Sequence, residues 1–284
     1  MTRYYLTDLD GTLLQSNASL SDYTVRTLTE ALEQGAVISY ATARSYQSSK
    51  SVTSQVAWPY PVVLYNGSML LDPLTGKVLG GHWLDSDASN EVIELGRRMN
   101  LMPFLFALDE EDRERVLHEK LSRYGDTEFY ASRPGDPRFV EVDHLTCPPA
   151  YRTMIVTYIG RREEIEPLFR AVADRYGPAV HLHFMLDNYI KDHYFLEISH
   201  PLANKEHGLM LWCEQFGCQP EEVTVFGDNL NDIGMFKQAG RRMAVSSAHP
   251  ELKLMASEVI GSNDEDSVAR VIEADLQGSS GERH

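Results

Sequence analysis

The stretch TDLDGTLL, residues 7–14, sets two acids either side of a leucine at the end of a strand-like run, residues 4–7, and turns at once on Gly11. Residues two apart on an extended chain face the same way, so Asp8 and Asp10 leave the strand together. In a parallel α/β sheet the carboxyl ends of the strands are where ligands gather. A carboxylate there can attack phosphorus. A second one can protonate a leaving alkoxide and then deprotonate water. From these eight residues alone, a loop with a plain Asp-Gly turn reads equally well, and the rest of the chain has to decide.

Working outward, residues 21–34 read as a helix, with Val25, Leu28, Ala31 and Leu32 at helical spacing and Gly35 closing it. Residues 37–41 form a second strand, a helix follows Arg44, and residues 62–65 form a third strand broken by Asn66-Gly67. Residues 69–83 read as a hairpin around residues 72–76. Near the other end, helices at 205–216, 230–239 and 264–276 alternate with strands at 223–226 and 243–245. Strands alternating with helices imply a parallel sheet. The block between has helices at 88–99 and 162–176 and alternating strands near 151–158 and 180–186, the pattern of an inserted α+β domain. Residues 110–115 read as a solvated helix face. The expected organisation is an α/β, Rossmann-like parallel-sheet core over residues 1–84 and 192–276, an inserted α+β domain over 85–191, and a frayed polar tail at 277–284.

A chain of 284 residues, 43% hydrophobic, can build two ordinary domains. Lys plus Arg number 26 against 42 Asp plus Glu, a formal charge of -16, whose field repels nucleic-acid backbones. No apolar run approaches the length that spans a bilayer, and strand residues begin too soon after Met1 for a signal peptide. The protein is therefore expected to be cytoplasmic, a monomer or homodimer, with neither membrane nor nucleic acid as partner. Cys147, Cys213 and Cys218 lack metal spacing and read as buried thiols.

A second acid cluster, GDNLND at residues 227–232, follows the strand at 223–226 and offers Asp228 and Asp232 at another carboxyl end, a site for a hard cation such as Mg²⁺. Taken in order, residues 8–13, Thr42-Ala43-Arg44, Asn66-Gly67, Lys205 and residues 227–232 resemble the haloacid dehalogenase superfamily of phosphatases, across the whole core. The resemblance implies Asp8 as nucleophile, Asp10 as general acid/base, and Lys205 as the cation holding nucleophile and phosphate. It implies Thr42, with Ala43, Arg44 and Asn66, around the phosphate. Asp8, the carbonyl of Asp10, Asp228, Asn229 and Asp232 would surround Mg²⁺. Phosphate monoesters need acceleration of up to ~10²¹, whereas acid/base catalysis supplies only ~10² to 10⁴, so charge neutralisation must carry much of the rest.

Residues 13–42 leave room for little beyond one helix, so the insert must follow the third strand. That position resembles the Cof-like, class IIB branch with a C2-type cap, as do residues 195–198, Asn204-Lys205 and residues 262–266. Ala43 stands where the family usually has Gly, Glu206 where a Lys-Gly pair is usual, and Ser247 where an Asn-Ala pair is common. The expected substrate is a small phosphorylated metabolite of sugar type. A phosphomutase of the phosphomannomutase type, or a catalytically silent binding protein on the same fold, are the alternatives. Along 180–187, Val180, Leu182, Phe184 and Leu186 alternate with His181, His183, Met185 and Asp187, a sheet with one polar face. A site that grips only phosphate cannot discriminate among esters, so His183, Asn188 and Lys191 are candidates for reading the leaving group.

Overall fold

The computed structural model describes residues 2–187 and 190–280. The chain divides into two compact units, Met1–Gly81 with Asn204–His284, and His82–Ala203.

The first unit is built on five parallel strands in the order Glu258–Val259, Arg241–Ala244, Val223–Gly227, Tyr4–Thr7 and Val37–Tyr40. The third strand of the chain, Val62–Leu64, joins through a parallel bridge between Ala41 and Val63 and continues into antiparallel Met69–Leu71 and Val78–Gly81. The central strands are buried on both faces, as a helix-covered parallel sheet requires. Helix Asp22–Glu33 starts at Ser21, whose Oγ accepts Thr24 N–H at 3.0 Å. Helix Lys205–Phe216 starts at Asn204, whose Oδ1 accepts His207 N–H at 3.1 Å, and ends at left-handed Gly217.

The motif at residues 262–266 ties down the segment just past the aspartates. Asn263 Nδ2 donates to the Leu14 carbonyl at 3.0 Å, Asp264 accepts from Ser16 N–H and Oγ–H, and Asp266 accepts from Ser21 and Thr24. The last helix runs Ser267–Ser280, so residues 277–280, expected to fray, are helical; residues 281–284 lie outside the described residues. Tyr23 donates to Glu273 at 2.8 Å, and Arg241 pairs with Asp275 at 2.6 Å, which holds the helix far along its length.

The second unit carries a six-stranded sheet in the order His181–Leu186, Tyr194–Ser199, Arg152–Gly160, Phe104–Leu108, Glu114–His118 and Phe139–Glu141, antiparallel except for the last pair. The expected boundaries after residues 84 and 191 therefore shift. Strand Tyr194–Ser199 hydrogen-bonds between two strands of this sheet, and Leu84 bridges Thr153, so both belong to the insert. Helices Ser86–Arg98 and Arg162–Tyr176 supply Val92, Ile93, Ile165 and Leu168 to the main core of the unit.

Two expectations about this unit are corrected. Residues 110–115 are no helix: they lie in and just after a hairpin turn, where Asp109 Oδ1 accepts the N–H groups of Glu111 and Arg113 at 3.0 and 2.9 Å. That carboxylate offers the backbone a bond that competes with helix formation. The second sheet face is partly covered, because Phe129 of helix Tyr124–Ala131 packs on Phe104 and Phe195 with ring centroids 4.9 and 5.6 Å away. Hence Met185 is drawn against this cluster while Leu186 is 54% exposed, and the alternation read along 180–187 breaks at its end.

Candidate active site

The strand Tyr4–Thr7 ends in one wide turn over Leu9–Leu13, closed by Leu14 N–H donating to the Leu9 carbonyl at 2.8 Å. Gly11 makes it possible, with φ of 75° in the left-handed region. The turn leaves Asp8 buried at the strand end and Asp10 exposed.

Lys205, the first residue of its helix, has a fully buried side chain, and its Nζ donates to Asp8 Oδ1 and, at 2.7 Å, to Asp232 Oδ1. A lone buried ammonium would be costly, and these two carboxylates offset that cost. Burial alone would lower the Lys205 pKa, but Asp232 and Asp8 hold it above its ordinary value. The helix is set close by Gly67, where a Cβ would stand 2.1 Å from the Asn204 carbonyl oxygen. The unusual Glu206 is accommodated by Gly234 facing it, and its Oε1 accepts Gln238 Nε2–H at 2.6 Å.

Asp8, Asp228 and Asp232 each bring a carboxylate oxygen within 4.8 Å of the others. Their surroundings differ. Asp232 is spent on structure: besides Lys205, its Oδ2 accepts the N–H groups of Asp228 and Asn229 at 2.9 and 3.0 Å. Asp228 Oδ1 accepts the Thr12 hydroxyl at 3.2 Å. Burial, then the neighbouring Asp232 charge, push Asp228 up to about 6. Burial likewise drives Asp8 well above the usual carboxylate range, with Lys205 opposing and Asp232 and Asp228 adding to the rise. Three carboxylates facing one ammonium, all hard oxygen donors, suit Mg²⁺. Asn229 is exposed and its Oδ1 accepts Leu230 N–H at 2.8 Å, capping its own turn.

The loop after Val37–Tyr40 is laced by its backbone: Thr42 N–H donates to Val63, Asn66 N–H to the Thr42 carbonyl, and Tyr65 N–H to Arg44. Thr42 Oγ1 accepts Arg44 N–H at 3.1 Å, so its own hydroxyl proton still has a donor's role to fill. Ala43 is exposed, and its φ is not left-handed, so alanine serves where glycine is usual. Arg44 Nε and Nη2 grip both oxygens of Asp10 at 2.7 and 2.6 Å. Asn66 Oδ1 accepts Asn231 Nδ2–H at 3.1 Å. Asn231, Thr12 and Ser48 were not singled out from the sequence; Thr12 and Asn231 had a signal, their places inside the opening octet and the second acid cluster.

In the inserted unit, His183 is exposed on the edge strand with its Nδ1 3.8 Å from Glu197 Oε2 across the ladder. Lys191 is exposed, and its carbonyl accepts His193 Nδ1–H at 2.8 Å. Asn188 lies outside the described residues.

A model of the haloacid dehalogenase-like hydrolases matches residues 5–272. The chain is 26% identical over 279 residues to the pyridoxal phosphate phosphatase YbhA of Escherichia coli, covering 97% of this chain and 99% of that protein. It is 23% identical over 267 residues to the 5-amino-6-(5-phospho-D-ribitylamino)uracil phosphatase YitU of Bacillus subtilis, covering 93% and 94%. Its fold superposes on a haloacid dehalogenase-like hydrolase from Bacteroides thetaiotaomicron with a TM-score of 0.78 at 22% identity, covering 96% of this chain and 99% of that one. With the turn at Asp8, the buried Lys205 and the acid cluster at Asp228 arranged in one matched stretch, the chain belongs to the haloacid dehalogenase-like hydrolases.

Proposed function

We propose that this enzyme is a Mg²⁺-dependent phosphatase that hydrolyses a small phosphorylated metabolite of sugar or polyol type through a phosphoryl group carried on Asp8. Phosphatase activity itself is supported by the family match and by the two phosphatase relatives. The observation that carries the mechanism is the buried Asp8 carboxylate, gripped by Lys205 on one side and flanked by Asp228. Asp8, Asp228 and the Asp10 carbonyl would hold the cation, which when bound neutralises charge on the phosphoryl oxygens. Asp8 attacks phosphorus, Lys205 balances the negative charge that gathers there, and the Thr42 hydroxyl donates to a phosphoryl oxygen. Asp10, exposed and off the acid cluster, gives a proton to the leaving oxygen and takes one from water. Asp232 positions Lys205 and the loop at Asp228. The ribityl phosphate named for the YitU relative supports the polyol class. His183 and Lys191, exposed on the insert, are proposed to read the leaving group.

A phosphate-release screen over sugar phosphates, polyol phosphates, cofactors and nucleotides tests the substrate class. Asp8→Asn tests the mechanism: release should vanish while the best ester still binds. Retention of most of kcat by that variant overturns the covalent route.

A further inference from the structure

From the bidentate grip on Asp10 we infer that Arg44 is a positioning residue for the second half of the reaction, in which water releases phosphate from Asp8; this rests on the function proposed above. Both oxygens of Asp10 accept from Arg44, Oδ2 from Nε at 2.7 Å and Oδ1 from Nη2 at 2.6 Å. The fork is itself braced, because Arg44 Nη1 donates to Ser48 Oγ at 3.1 Å. Ser48 in turn donates its N–H to Ser45 Oγ at the start of helix Tyr46–Thr53, which anchors the brace in regular structure.

The geometry separates the two carboxylates that the sequence places two residues apart. Lys205 holds Asp8, together with Asp232, and Arg44 holds Asp10. A carboxylate with a guanidinium on both oxygens has its plane held, with lone pairs left for further donors. In the step concerned, the oxygen of water bonds to phosphorus and the bond from phosphorus to the Asp8 oxygen breaks. Its electron pair returns to the Asp8 carboxylate, and a water proton passes to Asp10. Arg44 thus aims the acceptor at the water.

A residue that instead bound phosphate would act on the first step, so the two roles separate in the kinetics. With p-nitrophenyl phosphate, whose leaving group needs no proton, Arg44→Ala should lower kcat on the order of 10²-fold, the usual worth of a well-aimed base. KM should fall in proportion, leaving kcat/KM nearly unchanged, and rapid mixing should show a burst of p-nitrophenol close to one per active site. Arg44→Lys, which keeps the charge without the fork, should show a smaller fall in kcat, and Ser48→Ala a smaller one still. Asp10→Asn serves as reference and should also accumulate phosphorylated enzyme. If Arg44→Ala lowers kcat/KM as much as kcat and shows no burst while Asp10→Asn does, the inference falls and the function stands. If no variant, Asp10→Asn included, accumulates phosphorylated enzyme, the proposed function falls and takes the inference with it.

Discussion

Gly11 and Asp228 approach more closely than any side chain between them would allow: a Cβ on Gly11 would stand 2.6 Å from Asp228 Oδ2. The turn that presents Asp8 and the loop that presents Asp228 are thus pressed together by the lack of a single carbon. Gly11→Ala must push the Asp228 carboxylate away and also adopt a φ near 75°, which costs an L-residue about 1–2 kcal/mol. We expect a folded protein with kcat lowered on the order of 10²-fold or more, since displacements near 1 Å suffice for that. Circular dichroism with steady-state kinetics checks it; unchanged kcat would mean the two loops are not held in catalytic register by this contact.

Lys205 lies between Asp8 and Asp232, so Lys205→Met leaves carboxylates buried without their cation. Breaking such a pair costs about 3–5 kcal/mol. Lys205 is held above its ordinary pKa, so the wild-type ammonium stays charged throughout the neutral range. Without it the folded pKa of Asp8 rises further, and the folded state pays more as pH climbs and the acid ionises. Urea unfolding should therefore show a larger loss at pH 8 than at pH 5. Equal losses at both would assign the effect to packing.

The acid cluster also predicts a response to metal that needs no turnover. A ligand at 100 times its Kd stabilises the folded state by about 2.7 kcal/mol. Mg²⁺ should raise the Tm of the wild type and not that of Asp228→Asn, and exhaustive chelation should remove activity. A Tm indifferent to Mg²⁺ in the wild type would count against a cation held by Asp8 and Asp228.

The parts legible in sequence were those in which a residue type and its place on a strand end coincide. Asp8 and Asp228 follow apolar strand runs, with Gly11 three residues after the first and Gly227 just before the second, so their location at carboxyl ends could be read directly. Lys205 was readable only through the order of motifs, because its burial depends on Asp8, 197 residues away. The division of labour was not readable. Asp232 turns both oxygens to donors and Arg44 turns to Asp10 through contacts fixed only when separate loops meet. The insert was misjudged where side chains rather than periodicity decide: Asp109 makes a turn out of a charge run, and Phe129 covers a face that alternation left bare. Strand Tyr194–Ser199 could have belonged to either sheet until its pairing was known.

The last prediction concerns a carboxyl that catalysis does not use. Asp126, on helix Tyr124–Ala131, is 4% exposed, its Oδ1 has no hydrogen-bond partner, and Arg123 Nη1 stands 3.8 Å from its Oδ2. Burial pushes its pKa up to about 7, with Arg123 opposing and Glu164 adding to the rise. The sign follows from proton counting. Between the ordinary carboxylate value near 4 and about 7, the folded state holds a proton that the unfolded chain has released, so stability falls as pH rises through that window and levels off above it. Asp126→Asn keeps the shape and cannot ionise. It should match the wild type near pH 4 and exceed it at pH 8 by about 4 kcal/mol, the free-energy equivalent of a carboxyl raised from near 4 to about 7. Asp8 and Asp228 also have raised pKa values, but they are common to both proteins, so the difference in unfolding free energy between variant and wild type isolates Asp126. A difference that stays constant from pH 4 to pH 8 would show that Asp126 does not ionise inside the fold, and a wild type more stable than the variant at pH 8 would show that its charge finds a partner there.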